Sequence, residues 1–278
     1  MKIRIFKKWL ASIKSYSYRS TPWLLLTWKK RSIKQVSKSE NSSFTEKEPL
    51  FLSQLQELFL KLQQNKNGKL TPSQVMEQSY GFSIEIHQST LPNAGLGVYV
   101  KSGTVPKYGI ASMYPGTIYY PMEPIFFQSI KNPYILKCVD GIMVDGNHQG
   151  ISKKVFRSCS LRDHLGVYPS CDTSWLNARE KQTINPLAIG QIVNNAPIKN
   201  RANVVYQELD IPYTFPTNLR QYLPNVRFKP MDIEYLQYAD EKELESLPYI
   251  RVIVLVALRD IHAGEELFSS YFTEVEYD

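Results

Sequence analysis

Two periods divide the chain. Between Pro49 and Gln64, Leu52, Leu55, Phe59 and Leu62 recur at alternating three- and four-residue steps, which predicts an amphipathic helix. Asn65 to Gly68 ends that pattern, and Thr71-Pro72 predicts an N-cap followed by proline at the first position of a second helix running to about Ser79. From Phe82 the period changes to two. Phe82 to Ile86, Val98 to Val100, Ile110 to Met113, Thr117 to Tyr120 and Ile135 to Val139 are short strands separated by Gly, Pro and Asn, and Ile250 to Val256 is the strongest strand of the chain. The expected class is mainly β with some α, the strands mostly antiparallel. Asp140-Gly141 and Asp145-Gly146 read as hairpin turns. Between Glu208 and Tyr249, Pro212, Pro216, Pro224, Pro230 and Pro248 and the acidic run Asp240 to Glu245 predict an irregular insertion with room for one short helix.

Composition narrows this picture. At roughly 150 residues per domain, 278 residues make one large or two modest domains, and 43% hydrophobic residues are enough for a real core. Cys138, Cys159 and Cys171 are too few for a disulfide scaffold or a four-cysteine zinc site. The net charge of +7 belongs to one arm: residues 1–39 hold 11 basic residues and no acid, which leaves 22 basic against 26 acidic side chains, a net of −4, for the rest. The body therefore carries no electrostatic reason for direct DNA binding. Within the arm, Ile3, Phe6, Leu10 and Ile13 recur at helical spacing, and the run Trp23 to Trp28 falls far short of the roughly 20 apolar residues of a membrane-spanning helix. No transmembrane segment and no secretory signal are expected. The arm fits a mitochondrial presequence, a surface membrane helix, a nucleic-acid arm or a solvated basic tail. The expected location is intracellular, mitochondrion or nucleus.

Several chemistries are excluded. The sequence has no G-x-x-x-x-G-K-[ST] phosphate loop, no H-E-x-x-H zinc helix and no G-x-S-x-G nucleophile elbow. His87, His148, His164 and His262 show no paired spacing, and Cys159, His164 and Cys171 supply three ligands at irregular intervals, so no metal site is expected. Gly95-Leu96-Gly97 fails as a dinucleotide fingerprint because Val100 stands where the third glycine belongs, although glycines flanking a strand start let a ligand approach the backbone. Glu265 and Glu266 read as solvated or salt-bridged turn residues, and Tyr271 taken alone as a half-buried aromatic.

Read in order, four blocks carry more than each does singly: Gly95-Leu96-Gly97; Met113-Tyr114-Pro115-Gly116; Gly190 to Asn195 leading into Arg201-Ala202-Asn203; and Arg259-Asp260-Ile261 through Gly264-Glu265-Glu266-Leu267 to Tyr271. This set resembles the SET domain of protein lysine methyltransferases, over roughly residues 82–272. The resemblance implies a SET-type β-clip, a knot-like arrangement of small sheets. It divides the chain into a basic arm (1–39), a linker and helical lead-in (40–80), the SET domain with insertions at about 120–185 and 208–249, and a short tail (273–278). It also implies S-adenosylmethionine as cofactor, held by backbone at Leu96, Gly97 and Val98 and by Asn194, Asn195 and Tyr271, with a protein lysine as acceptor. Tyr271 would stand where the lysine channel meets the methyl group, and Tyr114 would line the region near it.

The sequence departs from the family pattern at three positions. Asn195 replaces the usual His, Ala202 replaces the Pro before Asn203, and Ser270 stands where Asp precedes the tyrosine. No cysteine-rich segment flanks the domain, so one of the two insertions is expected to close the substrate groove. A catalytically silent SET-like scaffold that binds a protein partner is the alternative these departures motivate.

Overall fold

The computed structural model describes residues 33–35, 47–65, 68–163, 169–179, 181–196, 202–230, 248–270 and 272–274. Strand β1 (Ile33–Gln35) precedes helix α1 (Glu48–Gln64), which has Pro49 in its first turn and buries Phe51, Leu55, Leu58, Phe59 and Leu62. Helix α2 (Pro72–Tyr80) begins on the expected cap: Gln74 N–H donates to Thr71 Oγ1 at 3.3 Å, and Thr71 N–H donates to Gln74 Oε1 at 2.8 Å, which satisfies two otherwise orphaned donors. Gly81, at φ +75°, ends the helix in the left-handed region. The Tyr80 hydroxyl donates to Gln54 C=O at 2.7 Å and fastens α2 to α1.

The chain continues through β2 (Phe82–Gln88), β3 (Leu96–Val105), β4 (Ile110–Tyr114) and β5 (Gly116–Tyr119). Next come α3 (Phe126–Ser129), β6 (Ile135–Lys137), β7 (Met143–Asp145) and α4 (Gly150–Arg162). The last elements are β8 (Asn194–Asn195), β9 (Val204–Pro212), β10 (Asn225–Arg227), β11 (Pro248–Ala257), β12 (Ile261–His262), β13 (Phe268–Ser269) and β14 (Phe272–Glu274). Among the described residues they form sheets in the orders β10-β5-β7-β6-β1-β14, β4-β11-β9-β13-β8 and β12-β3-β2. The mainly β class with a few helices is thus observed.

Strand β11 is the spine. It pairs antiparallel with β4 on one side and β9 on the other, and every residue from Val252 to Ala257 is buried. A strand covered on both faces loses the polar alternation of a surface strand, which is why Ile250 to Val256 stands out in the sequence. The core it anchors is continuous with the helical lead-in, since Phe59 packs at 5.5 Å from the Tyr222 ring and edge-on to Phe215 at 6.3 Å.

Pairing among the described strands is mostly antiparallel, as expected, with β1–β6, β5–β10, β8–β13 and β9–β13 as the parallel pairs. Other expectations need correction. Asp140-Gly141 does form the β6–β7 hairpin turn, with Gly141 at φ +88° and its N–H on Cys138 C=O at 3.1 Å. Asp145-Gly146 does not form one. Asp145 ends β7 with a buried carboxylate that accepts from Asn132 Nδ2 at 2.8 Å and Asn147 N–H at 3.1 Å, and the chain passes on to α4. Strand β9 extends to Pro212, past the Glu208 at which the irregular segment was placed. Among the described residues the helical piece in that segment is the 3-10 turn Thr217–Tyr222. The acidic run at 240–245 and the amphipathic pattern of residues 1–32 lie outside the described residues, whereas Ile33–Gln35 of the basic arm is a sheet strand.

Because the lead-in helices share the main core, Phe59→Ala should cost about 3–5 kcal/mol in urea unfolding with a single transition. A loss below about 1 kcal/mol would show that α1 is not part of the same cooperative unit.

Candidate active site

Three of the four motif blocks meet around one carboxylate, that of Glu266, and the Met113 to Gly116 block lies apart from it. Its Oε1 accepts from Ser89 Oγ at 2.7 Å and from Asn194 Nδ2 at 3.3 Å; its Oε2 accepts from Thr90 N–H at 2.9 Å and Thr90 Oγ1 at 2.6 Å, with the Tyr99 hydroxyl at 3.0 Å. The side chain is enclosed, unlike that of its neighbour Glu265, which pairs with Arg259 at the surface. The turn-residue expectation therefore holds for Glu265 and fails for Glu266. Burial by itself would raise the Glu266 carboxyl, but the hydrogen bonds from Thr90, Ser89 and Asn194 more than offset it and hold the group below the ordinary carboxylate range.

Backbone bonds stitch the same segment to β3. Val100 N–H donates to Glu265 C=O at 3.0 Å, Gly264 N–H to Val100 C=O at 2.8 Å and Leu267 N–H to Val98 C=O at 2.7 Å. Asn203 clamps the other side, donating from Nδ2 to Glu266 C=O at 2.8 Å and accepting Phe268 N–H on Oδ1 at 2.7 Å. The glycines of Gly95-Leu96-Gly97 have separate causes. Gly95 sits at φ +75° with open space where a side chain would point, whereas a Cβ on Gly97 would overlap Glu266 Oε1. Gly97 is thus glycine for the sake of the carboxylate behind it, and only Gly95 leaves the approach to the backbone open.

The predicted cofactor residues come together. Asn194 Nδ2 donates to Leu96 C=O at 2.9 Å, β8 runs parallel to β13, and Ala196 N–H donates to Ser269 C=O at 2.8 Å. Leu96, Asn194 and Asn195 are half-buried, whereas Val98 is wholly enclosed and offers backbone alone. Tyr114 is fully buried; its hydroxyl donates to Tyr134 C=O at 2.8 Å and its ring meets Tyr206 edge-on at 6.0 Å. Tyr206, missed in the sequence, reaches Ser269 Oγ with its hydroxyl at 3.2 Å and so links Tyr114 to the strand end two residues before Tyr271. Its position three residues after Asn203, directly following Val204-Val205, was the available signal. Tyr271, Arg201 and His164 lie outside the described residues.

Cys138, Asp140 and Glu208 form the one metal-like cluster among the described residues, with ligand atoms within 4.8 Å of one another. Arg251 already supplies positive charge there, ion-paired to Asp140, Glu208 and Asp210. Cys159 and Cys171 are buried beside Phe156 and Trp175, and burial pushes the Cys171 thiol up to about 12, as expected of packing residues.

No family model matches the chain. It is 47% identical over 219 residues to human SET domain-containing protein 9, covering 78% of this chain and 68% of the relative, and equally similar to the Pongo abelii protein of that name, of which it covers 74%. The chain belongs to the SET domain family, and within it to the group of SET domain-containing protein 9. Among solved structures it matches chains of Chaetomium thermophilum polycomb repressive complex 2, one of them bound to S-adenosylmethionine. The identity is 12–13%, the TM-score 0.33–0.36, and the match covers 70–72% of this chain and 16–17% of those. No described helix is long and apolar enough to cross a membrane.

Gly97→Ala should destabilise the protein by about 1–3 kcal/mol through overpacking, and by clearly less in a Glu266→Ala background, because the two side chains compete for one volume; equal costs in both backgrounds would contradict the contact. For Glu266 the folded-state pKa is depressed, so its contribution is fully present above the unfolded value of about 4.3 and is lost as pH falls through the folded value. The stability gap between wild type and Glu266→Gln should therefore be flat through neutral pH and shrink in acid, as read by denaturant unfolding across pH.

Proposed function

We propose that this chain is an S-adenosylmethionine-dependent methyltransferase acting on lysine side chains of a protein substrate. The observation that carries this reading is the Glu266-centred joint, which brings the Gly95-Leu96-Gly97 strand start, Asn194 and the strand leading to Tyr271 into one place. The residues suit the cofactor: half-buried Leu96, Asn194 and Asn195 present backbone and amide groups, and an ionised carboxylate behind Gly97 favours a cationic ligand nearby. Bound S-adenosylmethionine would supply an electrophilic methyl group on positively charged sulfur.

The protein's own task is to present a neutral amine. A lysine of pKa about 10.4 is only a few parts in ten thousand neutral at pH 7, and the ammonium has no lone pair. An aromatic, water-poor channel lowers that pKa by desolvation. Tyr114 and Tyr206 would supply the aromatic side of such a channel, each hydroxyl already held by a partner and neither able to act as a strong base. By the family resemblance Tyr271 would orient the amine through its hydroxyl, and alignment would supply the remaining acceleration.

S-adenosylmethionine should bind the full chain in calorimetry, and Tyr271→Phe should leave that binding in place while lowering transfer to protein lysines in cell extract about 10²-fold. Absence of cofactor binding at millimolar concentration would reject the reading. The enclosure of Tyr114 and the Asn195 replacement favour a second reading, a catalytically silent scaffold; it predicts cofactor-independent partner capture and no Tyr271-dependent transfer. The acid-free arm supports an address role, mitochondrial or nuclear, which imaging of the arm fused to a fluorescent protein would decide.

A further inference from the structure

A cleft of about 130 Å³ opens between the N-terminus of α4 and the turns Ser174–Asn177 and Gly190–Ile192. Three of the side chains lining it are more than nine-tenths buried yet carry a polar atom with no hydrogen-bond partner: His148 Nδ1, Trp175 Nε1 and Gln191 Oε1. Buried polar groups are ordinarily paired, which makes the cleft a candidate ligand site.

The chemistry of that ligand follows from the lining. Gln149 donates its amide N–H to His148 Nε2 at 3.3 Å, so the proton of the neutral ring sits on Nδ1. Burial, with Arg179 and Lys153 nearby, holds that ring neutral. His148 Nδ1–H and Trp175 Nε1–H are thus both donors. Lys153, fixed by Asn177 Oδ1 at 3.0 Å, and Arg179 at the rim add positive charge, and no carboxylate lines the cleft among the described residues. Helix α4 begins here without a side-chain cap, so its positive end faces the same region. All of this selects an anion. Gln191 Oε1 is the exception, an acceptor that needs a donor, which a bare carboxylate does not offer; a peptide N–H beside an anionic side chain satisfies both requirements.

The cleft also adjoins the Tyr114 cluster. His148 meets Tyr134 edge-on at 5.9 Å, Tyr134 C=O accepts the Tyr114 hydroxyl, and a Cβ on Gly146 would touch both the Tyr114 ring and Gln191 Cβ. We propose that this cleft is a subsite for an anionic side chain, carboxylate or phosphate, of the protein substrate, close in sequence to the residue that reaches the tyrosines. The substrate role rests on the methyltransferase reading; anion binding does not.

The test is direct binding to the full chain labelled with nitrogen-15, following the indole N–H resonance of Trp175, which its loss in Trp175→Phe assigns. Blocked glutamate and blocked phosphoserine, each N-acetylated and amidated, should shift that resonance saturably and show which anion is preferred. Blocked glutamine and acetate should each bind about tenfold more weakly, the first lacking charge and the second the N–H. Arg179→Met, an exposed change, and Lys153→Met should weaken blocked glutamate by a similar factor while the fold, read from the rest of the spectrum, stays intact. No shift with either anionic probe, or equal affinity for blocked glutamine, overturns the proposal. Acetate binding as tightly as blocked glutamate overturns the peptide subsite, and displacement by S-adenosylmethionine overturns it by making the cleft part of the cofactor pocket. Anion binding that persists where calorimetry finds no cofactor binding would sink the methyltransferase reading and leave the anion subsite standing.

Discussion

The buried carboxylate of Glu266 is the constraint on which the site depends. It belongs to the last block of the motif set, yet its oxygens are satisfied by Ser89 and Thr90, which precede β3, and by Asn194 of β8. Segments more than 170 residues apart are thereby fixed to one another within hydrogen-bond tolerance, as the 176 positions from Thr90 to Glu266 illustrate. A buried charge is tolerable only when several donors surround it, and with that many donors it becomes a rigid knot of contacts rather than a burden. Gly97, Asn194 and Asn203 are each explained by this group: the first makes room for it, the second donates to it and the third holds its backbone.

Much of the scaffold was readable along the chain, for local reasons. Helix α2 announces itself because its capping box lies within four residues, Thr71 to Gln74, and α1 because large aliphatic side chains mark its buried stripe. Strand β11 is legible because burial on both faces removes polar alternation. Helix α4 was missed for the opposite reason. Its buried positions are Ser152, Phe156, Cys159 and Ser160, correctly spaced for a helix but half of them serine, so the apolar period is hidden. Asp145-Gly146 misled because the same dipeptide serves a tight turn and a strand end with a capping carboxylate.

The site divides in the same way. The gathering of Leu96, Gly97, Asn194 and Asn195 followed from the order of motif blocks. The distinction between Glu265 and Glu266, adjacent and chemically identical, is set wholly by which way the turn after Gly264 directs each side chain. Tyr206 was hidden in a strand where an aromatic is ordinary, and only its edge-on contact with Tyr114 gives it meaning.

Strand β1 alters how the basic arm should be regarded. Ile33–Gln35 lies between β6 and β14 and hydrogen-bonds to both. These three residues of the arm are therefore part of the sheet. Processing that removes residues before Ile33 would preserve the six-stranded sheet, whereas a cut beyond Gln35 would strip out an interior strand. That cut would leave two open strand edges, of the kind that recruit other chains into aggregates. A cut in the arm would thus bear on the solubility of the domain through these three residues.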